Sequence, residues 1–140
     1  MATIISNSPE ETFVIGKTWA TEAQVGLVIG LDGDLGTGKT QLVKGVARGL
    51  GIAEPVNSPT FTLVCEYEGT TKLNHLDFYR LQNIDQIIAA SLEPYLSPDG
   101  ITVIEWFSRW TGPLPEKFRH ATLTQTGKNE RRIEYEDSRT

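Results

Sequence analysis

Two short stretches of nearly unbroken apolar residues organise the chain: Leu27-Val28-Ile29-Gly30-Leu31 and Ile101-Thr102-Val103-Ile104, the second ending on Glu105. Neither alternates with polar residues and both are too short for a helix, so each predicts a strand buried on both faces. Around them the pattern is different. Ser8-Pro9-Glu10-Glu11 predicts a helix start, with Ser8 as the cap, Pro9 in the first turn and Glu11 three residues on, and that helix runs to about Glu22. Leu42, Val43, Val46 and Leu50 recur at helical spacing and predict a second helix over Lys39–Leu50, stopped by Gly51. Strands at Thr60–Glu66 and Thr71–Asp77 flank Glu68-Gly69-Thr70. A second hairpin is expected from Ala121–Thr126 and Arg131–Tyr135 about Gly127-Lys128-Asn129. Ile84–Leu96 reads as a helix broken near Pro94. Buried parallel-type strands, helices and hairpins together predict an α/β fold with a mixed, largely parallel central sheet and β-hairpin additions.

Composition bounds this picture. The chain has 140 residues, of which 39% are hydrophobic, and no repeats or low-complexity tracts divide it. The expectation is one continuous domain over residues 1–140, with enough apolar mass for a real core. The longest nearly uncharged apolar stretch, Ala23–Leu31, is too short to cross a bilayer. The N-terminal MATIISNSPEE carries neither a basic region nor a long apolar one. A cytoplasmic protein with no membrane partner is therefore expected. The single Cys65 excludes an internal disulfide or a cysteine metal cluster and is read as a small buried hydrophobe. With 13 Lys and Arg against 18 Asp and Glu, the net charge is −5, which argues against direct binding of a nucleic-acid backbone.

The chemistry lies between the first apolar strand and the second helix. Gly33-Asp34-Leu35-Gly36-Thr37-Gly38-Lys39-Thr40 matches G-x-x-x-x-G-K-[ST] in full, in the strand-to-helix context that the motif needs. Gly33, Leu35, Gly36, Thr37 and Gly38 would turn backbone N–H groups toward phosphate oxygens, helped by the positive end of the helix. Lys39 would reach the β- and γ-phosphates, and the Thr40 hydroxyl would ligate Mg²⁺. Two acids close apolar strands, Asp77 and Glu105. Either can hold Mg²⁺ directly or through water, or orient an attacking water, and the spacing does not say which. Ser58-Pro59-Thr60 occupies the place of a loop that senses the γ-phosphate, though a plain turn reads nearly as well. His75, with no second histidine nearby, is read as structural. Trp106 fits core packing and proximity to the nucleotide equally.

The string GDLGTGKT, then VNSPTFTLVCEY, then LNHLDFYRL, then VIEW resembles the TsaE (YjeE) family of small P-loop ATPases, closely from Ser8 to Trp106 and loosely over the C-terminal hairpin. The resemblance implies ATP as substrate, Mg²⁺ as cofactor and slow hydrolysis in the isolated chain. It further implies a role in making threonylcarbamoyladenosine in tRNA beside TsaD- and TsaB-type proteins, with tRNA engaged only indirectly. By motif, Gly36–Gln41 would bind the phosphates, Thr40 and Glu105 would hold Mg²⁺, Asp77 would serve hydrolysis, and Ser58 and Thr60 would lie in a switch-like loop. Adenine would lie near Pro9-Glu10 and the Gly127-Lys128 turn. Two positions depart from the family pattern: Ser91-Leu92-Glu93-Pro94-Tyr95 replaces Gly-x-x-Glu-Tyr, and Phe107 stands where proline is usual. Two other readings stay open, a nucleotide-gated scaffold and a small-molecule kinase. Kinases usually carry an arginine-bearing lid, whereas only Arg80 and Arg109 fall between Asp77 and Pro113. Arg109 is the one nearby candidate for a catalytic arginine in cis. Neither N-K-x-D nor D-x-x-G is present to support a GTPase.

Overall fold

The computed structural model describes residues 1–34, 36–56, 64–79, 81, 86–96 and 98–138, with residues 86 and 87 described by their backbone alone. Its elements run β1 (Ala2–Ser6), α1 (Pro9–Glu22), β2 (Val28–Asp32), α2 (Lys39–Gly49), β3 (Val64–Tyr67) and β4 (Leu73–Asp77). There follow α3 (Gln86–Leu92), a 3-10 turn (Glu93–Leu96), β5 (Ile101–Glu105), a second 3-10 turn (Phe107–Arg109), β6 (Phe118–Gln125) and β7 (Arg131–Asp137). The seven strands form one sheet in the order β1-β7-β6-β2-β5-β4-β3. Its centre is parallel, β6 with β2, β2 with β5 and β5 with β4, while β3, β7 and β1 are added by antiparallel pairing. This is the α/β, largely parallel mixed sheet with hairpin additions that the pattern predicts.

The two apolar runs are buried on both faces for the expected reason. In β2, Ile29 and Leu31 enter a core shared with Leu42, Val43 and Val46 of α2 and Trp19 of α1. Val28 points the other way, into a second core with Leu76, Phe78, Ile104, Phe107 and Trp110. In β5, Val103 and Ile104 divide likewise between the two cores. Burying each such apolar side chain contributes about 1.5–3 kcal/mol, and the one buried polar residue inside these strands, Thr102, accepts from Asn74 at 3.3 Å. Helices α1 and α2 lie close together on the first face. A Cβ on Gly16 would run into the Leu42 carbonyl, and one on Gly45 into that of Phe13.

Local signals explain the element ends. Ser8 caps α1, accepting from Glu11 N at 3.1 Å, with Pro9 in the first turn. The β3–β4 turn caps α2 from outside, since Thr70 donates through its backbone N (2.9 Å) and its hydroxyl (2.8 Å) to the Leu50 carbonyl. Helix α3 gives way to the 3-10 turn at Glu93, next to Pro94. Strand β1 was not anticipated. Its isoleucines are adjacent rather than alternating, and it exists because it pairs with β7 at the far end of the chain, Ile4 opposite Ile133. Residues 60–63 of the predicted third strand, and Ile84 and Asp85 of the predicted helix, lie outside the described residues.

Candidate functional site

Strand β2 delivers the glycine loop to the N-terminus of α2 at the carboxyl edge of the parallel strands, where α/β sheets place ligands. Gly38 adopts φ 99°, a left-handed backbone that favours glycine, and its carbonyl accepts from Leu42 N at 3.0 Å to begin the helix. Thr37 turns its hydroxyl back onto Asp34 O at 2.8 Å. Beside the loop opens a cavity of about 540 Å³, lined in part by Gly36, Gly38, Lys39, Thr40, Gln41, Asp77 and Glu105. Asp77 and Glu105, 38 and 66 positions beyond Lys39 in the sequence, are thus gathered on one side of the loop by the pairing of β2, β5 and β4.

Lys39 is almost fully buried, and its ammonium donates to the carbonyls of Gly33 and of Asp34 (3.2 Å) while lying 4.3 Å from the centre of the Trp106 ring. Burial holds its pKa below the ordinary lysine value, against the opposing pull of Glu105, Asp77, Asp32 and Asp34. Asp77 and Glu105 stand opposite one another in the parallel register of β4 and β5. Burial raises the Asp77 pKa above the usual carboxylate value, and the neighbouring Glu105 adds to the rise. The Tyr79 N–H, at 2.9 Å from Oδ1, and the charges of His75 and Lys39 pull the other way. Two acids side by side, one of them resisting ionisation, form a site that a hard divalent cation would relieve. Among the described residues no three His, Cys, Asp or Glu side chains cluster as a complete metal cage. Two carboxylates and the Thr40 hydroxyl nevertheless fit Mg²⁺, which takes few protein ligands and fills its remaining positions with water and phosphate oxygen.

His75, read from sequence as structural, is fully buried, with Nε2 at 2.6 Å from Glu105 Oε2. Its Nδ1 has no partner among the described residues. The histidine therefore fixes one oxygen of Glu105 and leaves the other for the cavity. Trp106 lines the cavity and also packs against the second core. Its backbone is left-handed (φ 60°), a conformation that costs a bulky residue about 1–3 kcal/mol and that clusters at functional sites. The bond from its N–H to Leu31 O at 2.8 Å helps to hold it there.

Several expectations need adjusting. Arg109, the candidate catalytic arginine, does not line the cavity. Its guanidinium donates to the carbonyls of Phe78, Tyr79 and Leu81 and lies over the Trp106 ring, so it clamps the segment after Asp77 rather than serving the site. Gly33 and Thr37 belong to the loop but do not line the cavity. At the suggested adenine end, Pro9 lines the cavity, whereas Glu10, Gly127 and Lys128 do not. Cys65 is half-buried against the first core. Leu35, Ser58, Thr60 and Arg80 lie outside the described residues. Sequence reasoning missed Lys44, Tyr79, Asn129 and Arg131, all of which line the cavity. Tyr79 had a signal in its position two residues after Asp77, and Asn129 in the turn that the resemblance puts near adenine; Arg131 had none, because only the folded hairpin brings it near the loop.

Strand, glycine loop and helix, set at the edge of a parallel sheet, define a P-loop α/β protein. The family model for "Threonylcarbamoyl adenosine biosynthesis protein TsaE" matches residues 6–133, and the chain belongs to that family. It is 40% identical over 129 residues to the tRNA threonylcarbamoyladenosine biosynthesis protein TsaE of Bacillus subtilis, covering 91% of this chain and 80% of that one. It is also 40% identical over 139 residues to the protein of the same name from Nostoc, covering 96% and 85% respectively. Among solved structures, YdiB of Bacillus subtilis superposes with a TM-score of 0.78 at 33% identity, covering 98% of this chain and 84% of that one. No helix among the described residues is long and apolar enough to cross a membrane.

Proposed function

We propose that this chain binds ATP with Mg²⁺ beside its glycine loop and hydrolyses it slowly, in the cytoplasm, in support of a tRNA threonylcarbamoyladenosine-forming complex of TsaD- and TsaB-type proteins. The observation that carries this reading is the gathering of Lys39, Thr40, Asp77 and Glu105 on one cavity beside the loop. Lys39, released from the loop carbonyls that it holds here, is the cation for the phosphate chain. Thr40 and Glu105 are the ligands for Mg²⁺, which when bound would neutralise charge developing on the phosphate oxygens. Asp77, held by the Tyr79 N–H, orients the attacking water. Its raised pKa suits a group that gains a cation on nucleotide binding. Arg109 holds backbone carbonyls and does not line the cavity, which agrees with slow turnover by the isolated chain. The net charge of −5 supports docking on protein, with tRNA held by the partners.

The test is ATP binding and hydrolysis by the purified chain, alone and with the partner pair. Lys39→Ala is expected to lose nucleotide affinity by an order of magnitude or more. Unchanged affinity would remove the loop from the site. A turnover near the typical enzyme median of about 10 s⁻¹ in the isolated chain would overturn the slow-ATPase reading.

A further inference from the structure

Four arginines among the described residues divide by the partners they keep. Arg119 holds Asp137 in a two-pronged pair at 2.6 and 2.9 Å, and Arg132 holds Glu134 at 3.0 Å. Arg109 is held by carbonyls and by the Tyr79 and Trp106 rings and does not itself line the cavity. Arg131 differs from all three. It is the first residue of β7, half-buried, and it lines the cavity beside the glycine loop. Its Nη2 donates to Gly36 O at 3.1 Å. Its Nη1 is shared among the carbonyls of Glu130 (3.1 Å), Gly127 (3.4 Å) and Lys128 (3.5 Å). No carboxylate within ion-pair distance answers it among the described residues. A guanidinium is thus held in place by four neutral oxygens, three from its own hairpin and one from the loop, at a cavity that Lys39 and Lys44 also line.

We infer that Arg131 is a phosphate-chain contact for the nucleotide, a cation delivered in cis by the C-terminal hairpin. The inference rests on the nucleotide reading above and adds to it a residue that lies outside the glycine-loop motif. A phosphate oxygen is a stronger partner for a guanidinium than a neutral carbonyl is, so the fork can turn from Gly36 O to the ligand at small cost. The hairpin carbonyls keep the side chain ordered meanwhile, which lowers the entropy lost on binding.

The experiment compares Arg131→Gln and Arg131→Lys in the full chain. Glutamine keeps an amide donor for the carbonyls but loses the charge, and lysine keeps the charge but loses the fork. Binding of ATP and of ADP is measured across a salt series. The expected result is a loss of affinity for both nucleotides of about tenfold in Arg131→Gln, with a shallower salt dependence. Arg131→Lys is expected to stay within about threefold. A role only in latching the hairpin predicts equal losses in both variants and an unchanged salt dependence, and that outcome overturns the inference. Unchanged affinity in Arg131→Gln while Lys39→Ala loses binding overturns it as well. If Lys39→Ala also binds normally, the nucleotide reading itself fails.

Discussion

Strands β2, β4 and β5 all end in acids, yet the acids on the two faces of the sheet are treated in opposite ways. On the second face Asp32 is saturated with donors. Ser108 gives its backbone N–H (3.1 Å) and its hydroxyl (2.9 Å) to Oδ1, and His120 Nε2 lies 2.5 Å from Oδ2. Burial alone would raise the Asp32 pKa, but the His120 bond and then the two Ser108 bonds outweigh it and leave it lowered. On the first face Asp77 has one backbone N–H, a like charge beside it and a raised pKa. One carboxylate is spent on structure, tying the end of β2 to the turn after β5 and to β6. The other is short of partners among the described residues. Environments that push similar groups apart in this way mark which acid is free for chemistry.

Ranked by effect on ATP hydrolysis, Glu105→Gln comes first. It keeps the shape and a partner for His75 while removing the charge meant for Mg²⁺, and hydrolysis at saturating ATP is expected to fall about 10²-fold or more. Thermal melting should shift little, and a variant that still hydrolyses normally would erase the distinction between the two faces. Asp77→Asn is next, with a loss of about tenfold or more. Its stability should move in the opposite sense to its activity. An acid whose folded-state pKa is raised binds its proton more tightly when folded, so its stabilising contribution is present at low pH and lost as pH rises through that value. The asparagine variant does not carry that loss. Its stability relative to the parent should therefore improve from acid to neutral pH, as read by denaturant melts; a variant that loses stability over that range would show Asp77 to be a structural acid like Asp32.

How much of this was legible in the sequence depends on whether the partners are near in the chain. The glycine loop was, because its eight residues are consecutive and an apolar strand and an amphipathic helix frame it. Asp77 and Glu105 were, because each closes an apolar run. Asp32 closes one too and was passed over, absorbed into the loop that follows it. Its role is set by Ser108 and His120, 76 and 88 residues away. His75 and Glu105 are 30 residues apart and meet only because β4 and β5 pair in parallel. Arg131 reaches Gly36 across 95 residues, and β1 is a strand only because β7 is there to pair with it. Periodicity encodes which face of an element is buried, and motif spacing encodes loops. Cross-strand register encodes the rest, and it is a property of the folded sheet.

The smallest expected effect on hydrolysis, and the sharpest test of the contrast, belongs to Asp32→Asn. The amide cannot accept from Ser108 and His120 together as the carboxylate does, since one of its two polar atoms is itself a donor. Hydrolysis of bound ATP should stay within about twofold, because Asp32 does not line the cavity, while the fold should lose about 1–3 kcal/mol at neutral pH. The sign with pH is the reverse of that for Asp77. A carboxylate with a lowered folded-state pKa contributes stability above its unfolded value and loses it as pH falls through the folded one. The gap between Asp32→Asn and the parent should therefore be full at neutral pH and close on acidification below the ordinary carboxylate range. Denaturant melts on both proteins from neutral to strongly acid pH measure it. A gap that persists unchanged in acid would mean that the carboxylate's charge is not what Ser108 and His120 hold, and the contrast between the two faces would then rest on Asp77 and Glu105 alone.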